Sequence, residues 1–288
     1  MQPTEPPRPP RQANAHRRAG RQAGATRRPH GFTLIEAVMV ITVAGVVLVL
    51  VSVFILPATT AYFATAARAQ LTDQADTALR RIGRDLSQAL PNSVRVSSST
   101  RSLELIPVSG AARYATESGN PLQFGVADSG FDIVGPPLRL SAVSQRLAWY
   151  NLGAGVPDAD AYTLANVRTA GNAAGNASSI TLSGAALPNA LMAPPYRVYA
   201  IETPISYRCD TTAGTLTRHT GYGFGSTQPD PPAGGNAALL ARNVSACQFS
   251  YDSSGLAARY AMVTLQLSLT VNGETVTLYH SVHVDNLP

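Results

Sequence analysis

Glu36 is the residue whose placement calls for chemistry. It stands four residues past Phe32, at the head of a long uncharged apolar run, just after the basic stretch Arg27-Arg28-Pro29-His30-Gly31. A carboxylate inside a membrane helix costs roughly 2.5–3.5 kcal/mol at the helix centre, and less near the end. An acid kept there is therefore a functional candidate, and this one has a partner within reach. If the chain is cut between Gly31 and Phe32, the new amine of Phe32 lies close to Glu36. It can then pair with the Glu36 of a neighbouring copy, an attraction strengthened by low dielectric. The plain alternative is a signal anchor with a chance acid. A cleaved secretory signal fits poorly, because the apolar run is too long and no small-x-small site precedes polar sequence.

Other residues with reactive side chains form no convincing constellation. His280 and His283 are three apart on an expected strand, so they point to opposite faces. His219 sits alone in a turn-rich segment, and no Ser-His-Asp spacing or Gly-x-Ser-x-Gly elbow stands out. Asp128, Asp132, Asp158 and Asp160 are read as solvated loop carboxylates. Calcium is the ion such loops would take, but neither loop has a full ligand set. No catalytic residue, metal site or cofactor is expected, and the chain is not expected to be an enzyme.

Cys209 and Cys247 enclose 37 residues. A disulfide between them would stabilise the fold by roughly 3–4 kcal/mol in the chain-entropy model. Two free thiols or a metal pair are the alternatives, although two Cys without a His pair make a poor zinc site. The disulfide reading requires the chain beyond the anchor to lie outside the cytoplasm.

Composition supports that placement. Residues 1–31 hold seven Arg and one Glu, leaving 15 Arg against 16 acidic residues in the remainder. The positive leader favours a cytoplasmic N-terminus. The remainder is close to neutral, so nucleic-acid binding gains little support. All 22 basic residues are Arg, which reads as genomic base composition. The leader is too rich in Pro and Arg to fold by itself. Only 14% of residues are charged, while Gly and Pro together number 44. That mix suits a β-rich domain with many turns.

The elements must hold these residues in place. Residues 37–56 are uncharged, and at 1.5 Å per residue about twenty residues span roughly 30 Å, a hydrocarbon core. Gly45 permits close helix packing, and Pro57 is expected to kink or locally melt the helix. Beyond it Leu71, Ala75, Ala78, Leu79, Ile82, Leu86 and Leu90 recur at three- and four-residue spacing, one apolar stripe needing cover. Asp73, Asp76, Arg80, Arg81, Arg84 and Asp85 mark the opposite side, read as solvated, and Pro91 is expected to end the helix. From Ser93 the period falls to two. Short strands are expected around 94–96, 103–106, 138–140, 179–182 and 196–201. Residues 261–270 and 275–284 both alternate around Asn272-Gly273, a strong hairpin signal. Residues 153–160, 171–177 and 223–235 read as loops.

The stretch from Gly31 and Phe32 through Thr33-Leu34-Ile35 to Glu36 resembles the class III signal of type IV pilins and type II secretion pseudopilins. In that family a dedicated peptidase cuts after the Gly and N-methylates the next residue, which here implies Gly31 and Phe32, with Glu36 as the assembly residue. The resemblance implies an α+β pilin-like fold: a long N-terminal helix, half transmembrane and half amphipathic, packed on a C-terminal antiparallel sheet. It divides the chain into a cleaved leader (1–31), an assembly helix (32–56), an amphipathic helix (57–91) and a periplasmic β-rich domain (92–288). Residues 69–95 and 274–288 are similar to minor pilins of the mannose-sensitive haemagglutinin (MSHA) pilus system, themselves similar to J-type pseudopilins. The implied partners are the prepilin peptidase/methyltransferase, other major and minor pilins, an inner-membrane assembly platform and the lipid bilayer, with no nucleic acid. The implied location is a single-pass inner-membrane protein, N-terminus in, that later enters a filament or its tip. An anchored periplasmic enzyme and a tip-borne binding module are the readings from other classes.

Overall fold

The computed structural model describes residues 31–252 and 260–288; the expectations for the leader concern residues outside these, apart from Gly31. One long helix, α1 (Leu34–Ser87), opens the described chain. Two compact units divide between Ala58 and Thr59.

In the first unit every residue from Gly31 to Ala58 is exposed, including Phe32, Leu34, Ile41, Val49 and Phe54. Mean hydropathy reaches 3.0 over an 18-residue window. A helix so apolar all round is built for a bilayer or for burial among other helices. Its hydroxyls do not disturb it, because Thr42 donates to the Met39 carbonyl (2.9 Å) and Ser52 to that of Leu48 (2.9 Å). These two hydroxyls are thus satisfied within the helix itself, as lipid demands. Pro57 lies inside α1 and does not end it. α1 runs through Pro57 as continuous helix, and the division into two units falls just beyond it.

In the second unit the apolar stripe of α1 is covered as its spacing requires. Leu71, Ala75, Ala78, Leu79, Ile82 and Leu86 are buried. They share one core with residues of two sheets. The first sheet runs in the order β1 (Arg95–Val96), β2 (Ser102–Leu105), β11 (Ile205–Asp210), β12 (Thr215–Thr220), β13 (Asn236–Arg242). The second holds β14 (Val244–Asp252), β15 (Tyr260–Val271) and β16 (Glu274–Asp285), all antiparallel. Asn272 (φ 52°) and Gly273 (φ 82°) form the two-residue turn between β15 and β16. Two consecutive positive φ values are what a type I′ hairpin needs.

Each fully buried Leu or Ile on the stripe contributes about 1.5–3 kcal/mol. The helix stops at Ser87, ahead of Pro91. The Leu90 amide donates to the Ile106 carbonyl (2.7 Å) and the Val108 amide to that of Gln88 (2.8 Å). Pairing with the strand region thus replaces the last helical turn.

Between β2 and β11, neighbours in the first sheet, the chain inserts a second body. Strands β3 (Val108–Tyr114), β4 (Gly130–Val134), β6 (Arg146–Trp149), β7 (Val167–Ala170), β9 (Ser179–Ser183) and β10 (Arg197–Ile201) close into a barrel in the order β10-β3-β4-β9-β7-β6. A two-stranded ribbon of β5 (Leu138–Leu140) and β8 (Gly175–Ala177) accompanies it. β8 falls within residues 171–177, so that segment is partly strand, where loop composition alone was expected. The barrel has its own core of Trp149, Phe131, Leu147, Ile180 and Val198, with Phe131 and Trp149 edge-to-face at 6.0 Å. A third cluster including Leu90, Ile106, Tyr162, Tyr199 and Ile201 joins the barrel to the end of α1.

Candidate functional site

The site is the start of α1. Gly31, Phe32 and Thr33 are not helical, and the helix begins at Leu34. The Thr33 hydroxyl accepts from the Glu36 amide (3.3 Å), and the Thr33 carbonyl accepts from the Ala37 amide (3.1 Å). Thr33 is thus the N-cap, satisfying one of the donors that every helix start leaves open. The Thr-x-x-Glu spacing is that of a capping box. That role of Thr33 was legible in the sequence as a hydroxyl three residues before an acid and an apolar run, but it is not among the expectations above. The cap leaves the Gly31–Phe32 peptide in non-helical chain, with Phe32 74% exposed.

Glu36 lies on a strip of the helix with Thr33, Met39, Val40, Val43 and Val47. The spacing of three and four places them on one face. The carboxylate therefore sits at one end of a continuous apolar surface. A positive helix N-terminus favours negative charge nearby. A free amine on Phe32 would be a full positive charge added to that end, and its natural counterion is a carboxylate.

The remaining candidates fall elsewhere and are structural. The Cys209–Cys247 disulfide is formed, between β11 and β14. His280 and His283 do face opposite ways on β16; His280 packs over Gly83 of α1, while His283 is exposed. His219 belongs to β12 and bonds the Thr217 hydroxyl (3.0 Å), so it lies in a strand and not in a turn segment. Burial, and secondarily Arg208, holds its pKa below the ordinary value.

Of the four acids read as solvated loop carboxylates, Asp158 is exposed as expected, Asp132 lies on β4 and not in a loop, and Asp128, Asp132 and Asp160 accept from backbone amides. Asp128 accepts from the Gln123 (2.8 Å) and Gly130 (3.1 Å) amides, and Asp132 from the Asn120 amide (2.9 Å). Asp160 accepts from Gly155 and Tyr162 (both 2.8 Å) and is 3% exposed, so it is a buried turn cap and not a solvated one. No three His, Cys, Asp or Glu among the described residues are grouped to hold a metal ion.

Asp85 also departs from the solvated face expected for it. It is buried, accepts from the Tyr207 hydroxyl (2.5 Å) and from Arg218 (2.8 Å), and has Arg81 at 3.5 Å. Asp76 and Arg80 do form the expected exposed pair (2.6 Å).

A second buried charge, Glu104, pairs with Arg95, whose guanidinium lies 3.6 Å over the Tyr162 ring. Arg95 also donates to the carbonyls of Ser226 (2.8 Å) and Gly225 (2.9 Å). Desolvation raises the Glu104 pKa, opposed by hydrogen bonds and attraction from Arg95 and by Tyr222. This cluster ties the 223–235 loop to the first sheet and is a fastening, not a reaction centre.

Comparison with known families gives one match. Residues 26–55 match the family model described as the prokaryotic N-terminal methylation motif. No curated protein and no solved structure matches the chain. The match covers the Gly31–Phe32 junction, Glu36 and most of the apolar run. The motif, the apolar helix and the antiparallel β-domain are together the features expected of a pilin-like protein, and the matched motif is one whose bearers are cut and N-methylated by a prepilin peptidase.

Proposed function

We propose that the chain is a minor pilin of an MSHA-type type IV pilus, resembling MshO, that acts in pilus initiation or at the tip. It is a structural assembly subunit and not an enzyme. Cleavage after Gly31 and N-methylation of Phe32 prepare it. The Glu36 carboxylate then pairs with the Phe32 amine of a neighbour and sets the axial register, while the apolar face from Phe32 to Leu56 packs among other pilin helices. Before assembly the chain is a single-pass inner-membrane protein, with its leader in the cytoplasm and its β-domain in the periplasm. The observation that carries this reading is the placement of Glu36 on the apolar strip directly after an exposed, non-helical Gly31–Phe32 junction.

The test is Glu36→Ala. Processing should continue normally, and the variant should be missing from sheared filaments. Recovery at the wild-type level would sink the pairing mechanism. A J-type minor pseudopilin of a type II secretion system is the second reading, because residues 69–95 resemble both groups. Deletion should then abolish secretion while leaving pili intact.

A further inference from the structure

The outer wall of the barrel carries a like-charged cross-strand pair with no carboxylate to balance it among the described residues. Arg113 on β3 and Arg197 on β10 are direct antiparallel partners. Their neighbours Ala112 and Val198, also partners, face the barrel core, so the two arginines face outward, and both are exposed. Like charges directly opposite across two strands are destabilising. Among the described residues neither guanidinium has a carboxylate within ion-pair distance. Arg197 hydrogen-bonds the Tyr199 side chain, and Asp285, which lines an adjoining cleft with both, makes no ion pair with the arginine.

Between the two arginines lies a shallow groove of about 330 Å³. Ala111, Val134 and Pro136 contribute the outward-facing part of the rest of its lining. Val134 is the cross-strand partner of Arg113 and is 48% exposed. The lining is thus aliphatic and small, flanked by two forked cations whose Cβ atoms stand about 5 Å apart. Arginine forks match carboxylates in two-point contacts, and arginine is enriched at protein interfaces. No ring lines the groove for a base to stack on. The chain beyond the leader is nearly neutral and lacks the broad field a long polyanion would use.

We propose that this groove docks an acidic, aliphatic segment of a partner protein. Carboxylates of the segment lie on Arg113 and Arg197, and its aliphatic side chains lie on Ala111, Val134 and Pro136. Docking relieves the charge repulsion within the β3–β10 pair.

The experiment uses the full-length protein in detergent micelles. The probe is a short fluorescein-labelled peptide of alternating Glu and Val, with a Gln-for-Glu version as its neutral counterpart, read by anisotropy. Saturable binding of the acidic peptide, weakening with salt, is expected. Each exposed arginine–carboxylate contact is worth up to about fivefold, so Arg113→Gln with Arg197→Gln should weaken binding roughly tenfold or more. Arg242→Gln, on the edge strand β13, should leave it unchanged. The double variant should melt no lower than wild type, since it removes a repulsion. Equal binding of the acidic and neutral peptides would overturn the proposal, as would an unaffected double variant. So would stronger binding of polygalacturonate or a single-stranded oligonucleotide than of the acidic peptide. The assay needs no cleavage at Gly31, so its failure is distinguishable from failure of the pilin reading.

Discussion

Replacing Asp85 with Ala should cost the β-domain about 3 kcal/mol, because the loss strands a buried hydroxyl and a half-buried guanidinium. The Tyr207 hydroxyl is fully enclosed and donates to Asp85 at 2.5 Å. Arg218 donates to the same oxygen at 2.8 Å, with its side chain 20% exposed and that of Asp85 11% exposed. Removing one member of a buried charge pair typically costs 3–5 kcal/mol. The estimate belongs at the low end, since Arg218 keeps some water and a 3.3 Å bond to the Tyr207 oxygen. Asp85→Asn keeps an acceptor and should cost about 1–2 kcal/mol, and Tyr207→Phe about 1 kcal/mol. The Asp85→Ala/Tyr207→Phe cycle should show about 1–2 kcal/mol of coupling. Trp149, the single tryptophan, is fully buried in the same unit and reports unfolding by fluorescence. Urea titration of the full-length protein in micelles would give these differences. A domain of this size should lose roughly 6–12 °C in Tm for Asp85→Ala. A loss below about 0.5 kcal/mol, the ordinary figure for a surface change, would refute the account of Asp85 as a buried anchor.

Cys209→Ser with Cys247→Ser should lower stability by roughly 3 kcal/mol in the same assay, and reductant should reproduce the loss in the wild type. At Asp230 burial pushes the carboxyl upward. Hydrogen bonds from Ser102, Ser99, Ser97 and Arg208 outweigh that and hold it below its ordinary 3.8. A depressed carboxyl contributes stability that is present above the unfolded pKa and lost as pH falls through the folded one. Asp230→Asn should therefore flatten the loss of stability below about pH 4; an unchanged acid slope would contradict this. Gly31→Leu should leave the full-length precursor in membranes, and a mature-sized band from it would place the junction elsewhere.

The sequence revealed what short range dictates. Asn272-Gly273 announced the β15–β16 hairpin because only certain residues take two positive φ values in succession. The α1 stripe was legible because a period near 3.6 has one interpretation in water. Gly31, Phe32 and Glu36 were legible as a candidate site because an acid in an apolar run is rarely accidental. Long-range pairing was not legible. The barrel joins β3 to β10 and β4 to β9 across dozens of intervening residues, with strands too short to announce a partner. Asp85 read as solvated because Tyr207 and Arg218 lie more than 120 residues away. Helix periodicity shows which side an acid occupies, not what the remaining chain brings to meet it. Pro57 was expected to kink or locally melt α1; it lies within continuous helix, since one proline removes one hydrogen bond and need not end a helix.

The most direct test is the N-terminus of the protein taken from membranes, by intact mass and N-terminal peptide sequencing, with and without the prepilin peptidase. The account predicts a chain beginning at N-methylated Phe32 when the peptidase is present, and the uncut precursor when it is absent. A chain that keeps its leader in the presence of active peptidase would deny Glu36 the amine it is proposed to meet, and would contradict the account at its centre.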